Sequence, residues 1–362
     1  MKLRAHVLIL FVCVVLTGIA SAATPRKRVI ISTDMGLGLT GGWRSVVDVD
    51  DGWALPMALH ERSLDVKLVA TVLGNSNVAA EQLAADKLLR DVLRSNVKRV
   101  RGAAVRLDDP QATLNGTPIT ADCRNAAVDA MSDVLRRGKA TIIAIGPLTD
   151  VACLALNAPP HVVRNIDEVI AIMGRAPHEE FAIGPVSSLT DFNLVMDPRA
   201  ARVLLDQSTV PMTFLQFKLT SNVLVPRTYV QTLAGGTRLQ QYVHDWTIGW
   251  IDSWHKTFGE DGFHPWDSNA VWYAVEPSAF SCRKVHYKLQ PCAKDATDPY
   301  NRLGGCAGHR ATQKTSLDRE SLQLWLGRDV APSREVNTCD AYRSPEDRAL
   351  FEQAVRAFLG AR

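Results

Sequence analysis

Asp34, Asp48, Asp50 and Asp51 fall within one 18-residue stretch, DMGLGLTGGWRSVVDVDD. Carboxylates gathered this closely repel one another, and burying them is costly unless a cation or protons neutralise them. A donor set made only of oxygen suits a hard ion, Ca²⁺ or Mg²⁺, and not a soft metal. The same stretch carries a G-x-G-x-x-G string at Gly36, Gly38 and Gly41, which after a strand can cradle a dinucleotide phosphate. Three features oppose that reading. Asp34 stands where the pyrophosphate would approach, no helix follows the glycines directly, and the second strand ends in LGNSN without an acid. A third reading takes SVVDVDDG as a strand ending in D-x-D, with the first aspartate a phosphatase nucleophile; it leaves RVIISTD without a role. In the plainest reading Asp50 caps a helix and the other carboxylates are solvated.

Positioning these residues requires strands and helices in alternation. RVIIST (28–33) reads as a buried strand ending at Asp34, and GWALPMALH after Asp51 has helical spacing. VKLVATVL is a second strand, and VAAEQLAADKLLRDVLRS an amphipathic helix. The pattern continues with helix AAVDAMSDVLRR, strand ATIIAIG, helix LTDVACLAL, strand EVIAIMG, helix DPRAARVLL and strand PMTFL. SPEDRALFEQAVRAFL closes the chain as a helix with Ser344 at its N-cap and Pro345 at N1. This alternation predicts an α/β fold: a single domain over residues 23–362 with a mainly parallel, Rossmann-like open sheet flanked by helices and a decorated C-terminal region. Ligands gather at the carboxyl ends of strands in such sheets. Asp34, Asn75 and Gly146 each follow a strand, so one rim should carry the chemistry.

The 362 residues carry a formal charge of +3, with 46% hydrophobic and 22% charged residues. That balance calls for neither a nucleic acid polymer nor a membrane surface as partner. MKLRAH, VLILFVCVVLTGIA and Ala20-Ser21-Ala22 read as the three parts of a signal peptide over residues 1–22. Its apolar run is short for a membrane span, which needs about 20 residues. The mature chain is therefore expected to be secreted or periplasmic. Six of the seven cysteines remain after Cys13 leaves with the leader, and Cys282, Cys292, Cys306 and Cys339 crowd a C-terminal third that otherwise reads as loops. At least one disulfide is expected there, and no C-x-x-C pair favours zinc.

Read in order, the motifs resemble those of the nucleoside hydrolases, the inosine–uridine-preferring group and its purine-specific relatives. That family opens with a strand and D-x-D-P-G-x-D-D, for which STDMG supplies Asp34 and Gly36, and DVDDGWAL supplies Asp50 and Asp51. The likeness continues through Gly74-Asn75, IGPLTDVA, the IMG ending at Gly174, DFNLVMDPRAA and WDSNAVWYAVEP, spanning roughly residues 28–280. The resemblance implies a Ca²⁺ cofactor held by the carboxylates of Asp34, Asp51 and Asp267 and the carbonyl of Ile145. Asp34 is also implied as the general base on a calcium-bound water. Asp50, Asn75, Asp191, Asn193 and Asp267 would hold the ribose hydroxyls, and Met173 would line the pocket beneath the sugar. Trp266 would meet the base, as it does in purine-specific relatives. The implied reaction is hydrolysis of the N-glycosidic bond of a small-molecule ribonucleoside, with a leaning to purines. The chemistry is coherent: breaking that bond builds positive charge on the ribose, which nearby carboxylates stabilise. Assembly into a homo-oligomer is left open.

Several positions depart from the family pattern. Ser32 stands for the first aspartate, Asp191 for the usual glutamate, Gly184-Pro185 for a Gly-Asn, and Trp266 for the histidine that many members use as a leaving-group acid. His264, two residues earlier, offers itself as a substitute for that acid, or reads more simply as a surface histidine. Asp34 and Asp50 are 16 residues apart where the family has four, an insertion of about twelve residues with Trp43 and Arg44 at its tip. If the insertion spoils the metal loop, the alternative is a catalytically silent nucleoside- or sugar-binding protein on the same fold.

Overall fold

The computed structural model describes residues 25–41, 46–107, 113–114, 117–118, 123–177, 179, 183–184, 191–291, 322–328, 330 and 333–360. The leader, Trp43, Arg44, Pro185, Cys292 and Cys306 lie outside the described residues.

Nine strands form the main sheet: β1 (Lys27–Thr33), β2 (Leu64–Thr71), β3 (Arg99–Arg101), β4 (Ala140–Ala144), β5 (Ile166–Ile172), β6 (Met212–Leu215), β7 (Phe280–Pro291), β8 (Leu322–Gly327) and β9 (Val336–Tyr342). Their spatial order is β8-β7-β9-β6-β5-β4-β1-β2-β3. Every pairing from β9 to β3 is parallel, and β7 pairs antiparallel with both β8 and β9. The chain runs from β1 outward through β2 and β3, then returns to lay β4 on the other side of β1. That reversal makes a switch point between β1 and β4, where the connections leaving the two strands part and open a crevice at their carboxyl ends.

Alternation along β1 divides the core. Val29 and Ile31 pack with α1 (Asp51–His60) and α2 (Val78–Asp86), while Ile30 packs with α3 (Ala126–Arg136) and α4 (Thr149–Asn157). α5 (Pro198–Asp206) joins the second face; α6 (Arg238–Phe258), α7 (Trp266–Val275) and α8 (Pro345–Gly360) join the first. Each face thus buries one strand parity, as a two-residue side-chain period requires.

Four expectations change. The C-terminal third is not mainly loop where it is described: Phe280–Pro291 is a strand of 12 residues, inserted into the sheet through β9. Val285 and Tyr287 face the core while Lys284 is exposed, so Lys284, His286 and Lys288 on the outer parity hid the strand signal. The single helix expected after Asn77 is α-helical to Asp86 and continues as a π-helical turn over Lys87–Val92. No strand precedes Asp48, since residues 46–49 are irregular, which removes the framework of the D-x-D phosphatase reading. His264 is buried, not on the surface.

Candidate active site

β1 ends at Thr33 and delivers Asp34 to the switch-point crevice, where it is 2% exposed. Two glycines at neighbouring strand ends make room for it. A Cβ on Gly74 would stand 2.0 Å from Asp34 Oδ2, and one on Gly146 would stand 2.7 Å from Oδ1. The Asn75 backbone N–H donates to Asp34 Oδ2 at 3.0 Å, while the Asn75 side-chain amide donates to Asp51 Oδ2 at 3.2 Å. Thr33 Oγ1 donates to the other Asp51 oxygen. The ends of β1 and β2 therefore clamp the two carboxylates together.

Two helix N-termini bring the remaining carboxylates. Asp50 caps α1 and accepts from the Asp51 N–H at 3.1 Å, while Asp267 lies in the first turn of α7. Carboxylate oxygens of Asp50, Asp51 and Asp267 lie within 4.8 Å of one another, the one such group of potential ligands among the described residues. Asp34 borders this group without belonging to it, and Asp50 belongs to it. Asp48 turns back on its own backbone, accepting from Val49 N–H at 2.7 Å and Asp50 N–H at 3.4 Å.

The 16-residue separation of Asp34 and Asp50 does not keep them apart. Gly36 touches the Asp48 backbone so closely that a Cβ would sit 2.1 Å from its carbonyl oxygen. The Val47 N–H donates to the Leu39 carbonyl at 3.3 Å, closing the neck of the excursion. Met35, Leu37 and Val49 are fully buried on either side of that neck. At Gly38, φ is +101° and the backbone lies against Tyr242 of α6, a position where a side chain would be strained and would clash. The glycines thus shape a pinched loop, not a phosphate cradle.

Burial and mutual repulsion raise these acids. Asp51 is pushed up to about 7, mainly by burial, with Thr33 and Asn75 opposing. Asp34 is raised by burial and then by Asp51 and Glu81; Asp50 by burial and Asp48; Asp267 by burial and Asp50. Glu81, in the first turn of α2, is pushed up to about 9 by burial, although it accepts from the Ser76 N–H at 2.7 Å. Sequence reading missed Glu81 because an acid in a helix first turn looks like an ordinary surface residue. Thr33 gave no signal either: it reads only as the last β-branched residue of a strand.

The other expected residues line the same rim. Asn193 donates to the Ile145 carbonyl at 3.4 Å, joining two of them directly. Met173 is buried at the end of β5. Asp191 accepts from the Gly174 N–H at 2.7 Å and the Leu194 N–H at 3.4 Å; burial pushes it up to about 6, opposed by the Gly174 bond and by Arg175. Trp266 is half-buried, its indole N–H donating to Ser221 Oγ at 2.9 Å. Two motif acids serve the scaffold. Asp150 accepts from Asn125 at 2.7 Å, and Asp197 caps α5 and accepts from Thr149 at 2.6 Å.

The sequence model of the inosine-uridine preferring nucleoside hydrolases matches residues 29–320. A non-specific ribonucleoside hydrolase of Escherichia fergusonii is 24% identical over 313 residues, 78% of this chain and 95% of that protein. Among solved structures, a plant nucleoside hydrolase superimposes with a TM-score of 0.68 at 18% identity, covering 92% of this chain and all of that one. A purine-preferring ribonucleoside hydrolase from Gardnerella vaginalis gives 0.65 at 20% identity, covering 92% of this chain and 99% of that one.

Proposed function

Because this chain belongs to the inosine-uridine preferring nucleoside hydrolase family, metal-dependent hydrolases acting on the N-glycosyl bond of ribonucleosides, we propose that it is a secreted or periplasmic, Ca²⁺-dependent enzyme with a preference for purine nucleosides. The observation that carries this reading is the convergence of Asp34, Asp50, Asp51 and Asp267, all nearly inaccessible, on the β1/β4 switch point. N–H and O–H donors are what oppose their raised pKa values, and these satisfy lone pairs without supplying a full positive charge. An all-oxygen, multiply anionic and buried site fits a hard divalent cation. Asp34, Asp51 and Asp267 with the Ile145 carbonyl would hold it, and Asp50 lies close enough to share in the binding.

Held there, such an ion would supply charge toward a sugar diol and toward a water molecule that it would make more acidic. Asp34, held between Gly74, Gly146 and the Asn75 N–H, accepts the proton from the attacking water. The water oxygen bonds to C1′ as the C1′–N bond breaks, and the base leaves with the electron pair. Asp50, Asn75, Asp191, Asn193 and Asp267 hold the ribose hydroxyls, and the carboxylates among them offset the positive charge that develops on the ring. Met173 closes the floor. Trp266 offers its indole face to the base, which supports the purine preference. The disulfides Cys123–Cys153 and Cys282–Cys339 support an oxidising compartment, in keeping with the leader at residues 1–22.

The test is release of free base from inosine, guanosine and uridine by the chain from residue 23 onward, followed by chromatography. Purine nucleosides should turn over faster, EGTA should stop the reaction, and Ca²⁺ should restore it. Asp34→Asn should cost about 10²–10⁴ in kcat, the usual worth of a positioned base. Binding of nucleoside without turnover would establish the silent reading instead.

A further inference from the structure

His264 lies three residues before Asp267 and is 5% exposed. Its two ring nitrogens both face acceptors. Nδ1 is 2.9 Å from the Val223 carbonyl oxygen, and Nε2 is 2.9 Å from Glu260 Oε2. A carbonyl oxygen only accepts, and an ionised carboxylate only accepts, so both contacts are hydrogen bonds when both nitrogens carry hydrogen. Glu260 is held below the usual carboxylate range, chiefly by this bond, and it also accepts from the Trp254 indole N–H at 3.2 Å. Both ring nitrogens are thus engaged, one by a carbonyl and one by a carboxylate, and the ring is shut away from water.

The His264 ring abuts Trp266. The two ring centroids are 5.3 Å apart with planes inclined by 36°, an aromatic contact that a protonated ring would turn into a cation–π contact. Trp254 meets the same indole edge-on at 5.4 Å, and Phe217 stacks on it at 6.4 Å. The Ser221 hydroxyl takes the indole N–H at 2.9 Å. Trp266 is thus gripped through its N–H and by three rings while part of its surface stays open.

We propose that the Glu260–His264 pair is a positioning device for the base subsite: the charged His264 ring holds the Trp266 indole in the one orientation that receives a planar nucleobase. This inference rests on the reading of Trp266 as the base-stacking residue. A platform that is in place before the reaction and stays in place through it contributes equally to ground and transition states, so its loss raises KM and spares kcat. The apparent affinity falls by the fraction of protein that keeps the competent indole orientation.

The experiment compares His264→Gln, Glu260→Gln, Trp266→Phe and the double variant His264→Gln/Trp266→Phe, with inosine as probe. His264→Gln should raise KM about 5- to 10-fold, with kcat within about threefold, the size expected when a partly desolvated cation–π contact is lost. Glu260→Gln leaves the ring in place without its anion and should shift KM in the same direction by less. The double variant should be no worse than Trp266→Phe alone, because the pair acts through Trp266. Nitrogen-15 NMR of the histidines should show a buried ring protonated at both nitrogens that disappears in His264→Gln. A neutral His264, an unchanged KM in both single variants, or losses that add in the double variant would each overturn the proposal. If wild type releases no base from any nucleoside, the hydrolase reading fails separately. The same comparison is then made on the calorimetric Kd for inosine, where a loss confined to Trp266-intact variants supports the proposal and an unchanged Kd defeats it.

Discussion

Asn75 is the residue where the site's two anchors meet. Its backbone N–H holds Asp34 and its side-chain amide holds Asp51. Asn75→Ala keeps the first bond and loses the second, so Ca²⁺ affinity measured by calorimetry should fall about 10- to 100-fold, as for other partners that orient metal ligands. Glu81 gives a pH-dependent prediction. It titrates near 4.5 in the unfolded chain and is pushed up to about 9 in the fold, mainly by burial. A raised folded-state pKa gives stability that is complete below pH 4.5 and is lost as pH rises toward about 9. Glutamine does not titrate, so Glu81→Gln in EGTA should match wild type near pH 4.5 and melt progressively higher than wild type as pH approaches 9. A difference in Tm that stays flat across that range would contradict the assignment.

At the scale of elements, the residues inserted between Asp34 and Asp50 do not separate the strand end from the helix start. The neck of the excursion is closed by the Val47–Leu39 hydrogen bond and by the Gly36–Asp48 contact, and its described flanks are pinned by Met35, Leu37 and Val49 in the core. Strand end and helix start therefore stay adjacent whatever lies between them. Replacing residues 41–45 by Asn-Gly should leave Ca²⁺ affinity within about threefold, because loop length costs only ~0.6 kcal/mol per doubling. A collapse of affinity in calorimetry would make the excursion part of the site. The motif D-P-x-A-A is legible for a different reason than the aspartate cluster. Asp197 caps α5 and ties it to Thr149 of α4, so its pattern reports helix packing and not catalysis.

For the whole molecule, the C-terminal third completes the sheet. β9 lies between β6 and β7, parallel to the first and antiparallel to the second, and Cys282 and Cys339 are directly paired residues across β7 and β9. The disulfide closes a segment with a sequence separation of 57 residues. Chain-entropy reasoning gives it up to roughly 4 kcal/mol. The double variant Cys282→Ser/Cys339→Ser should therefore melt several degrees lower by calorimetry, and dithiothreitol should lower wild type by more than the variant, which keeps Cys123–Cys153. In the sheet order β6 and β5 separate this bridge from the β1/β4 switch point that holds the carboxylate cluster, so Ca²⁺ affinity at low temperature should be little changed.

The sequence by itself determined the α/β alternation, the parallel sheet, the rim of strand ends and the aspartates that meet there. These follow from local information: strand and helix periods, capping residues and ordered motifs. Only the tertiary structure decided that Asp34 and Asp50 meet across a pinched loop, because the Gly36–Asp48 contact has no signature in either residue. It also decided that Asp50 joins Asp51 and Asp267 in one group, since two helices from distant parts of the chain must first be packed side by side. His264 changed most. Read from sequence as a surface histidine, it is enclosed by the fold between a carbonyl, a carboxylate and an indole, partners that come from a distant segment, from just past the preceding helix and from the start of the next, and that no local pattern announces.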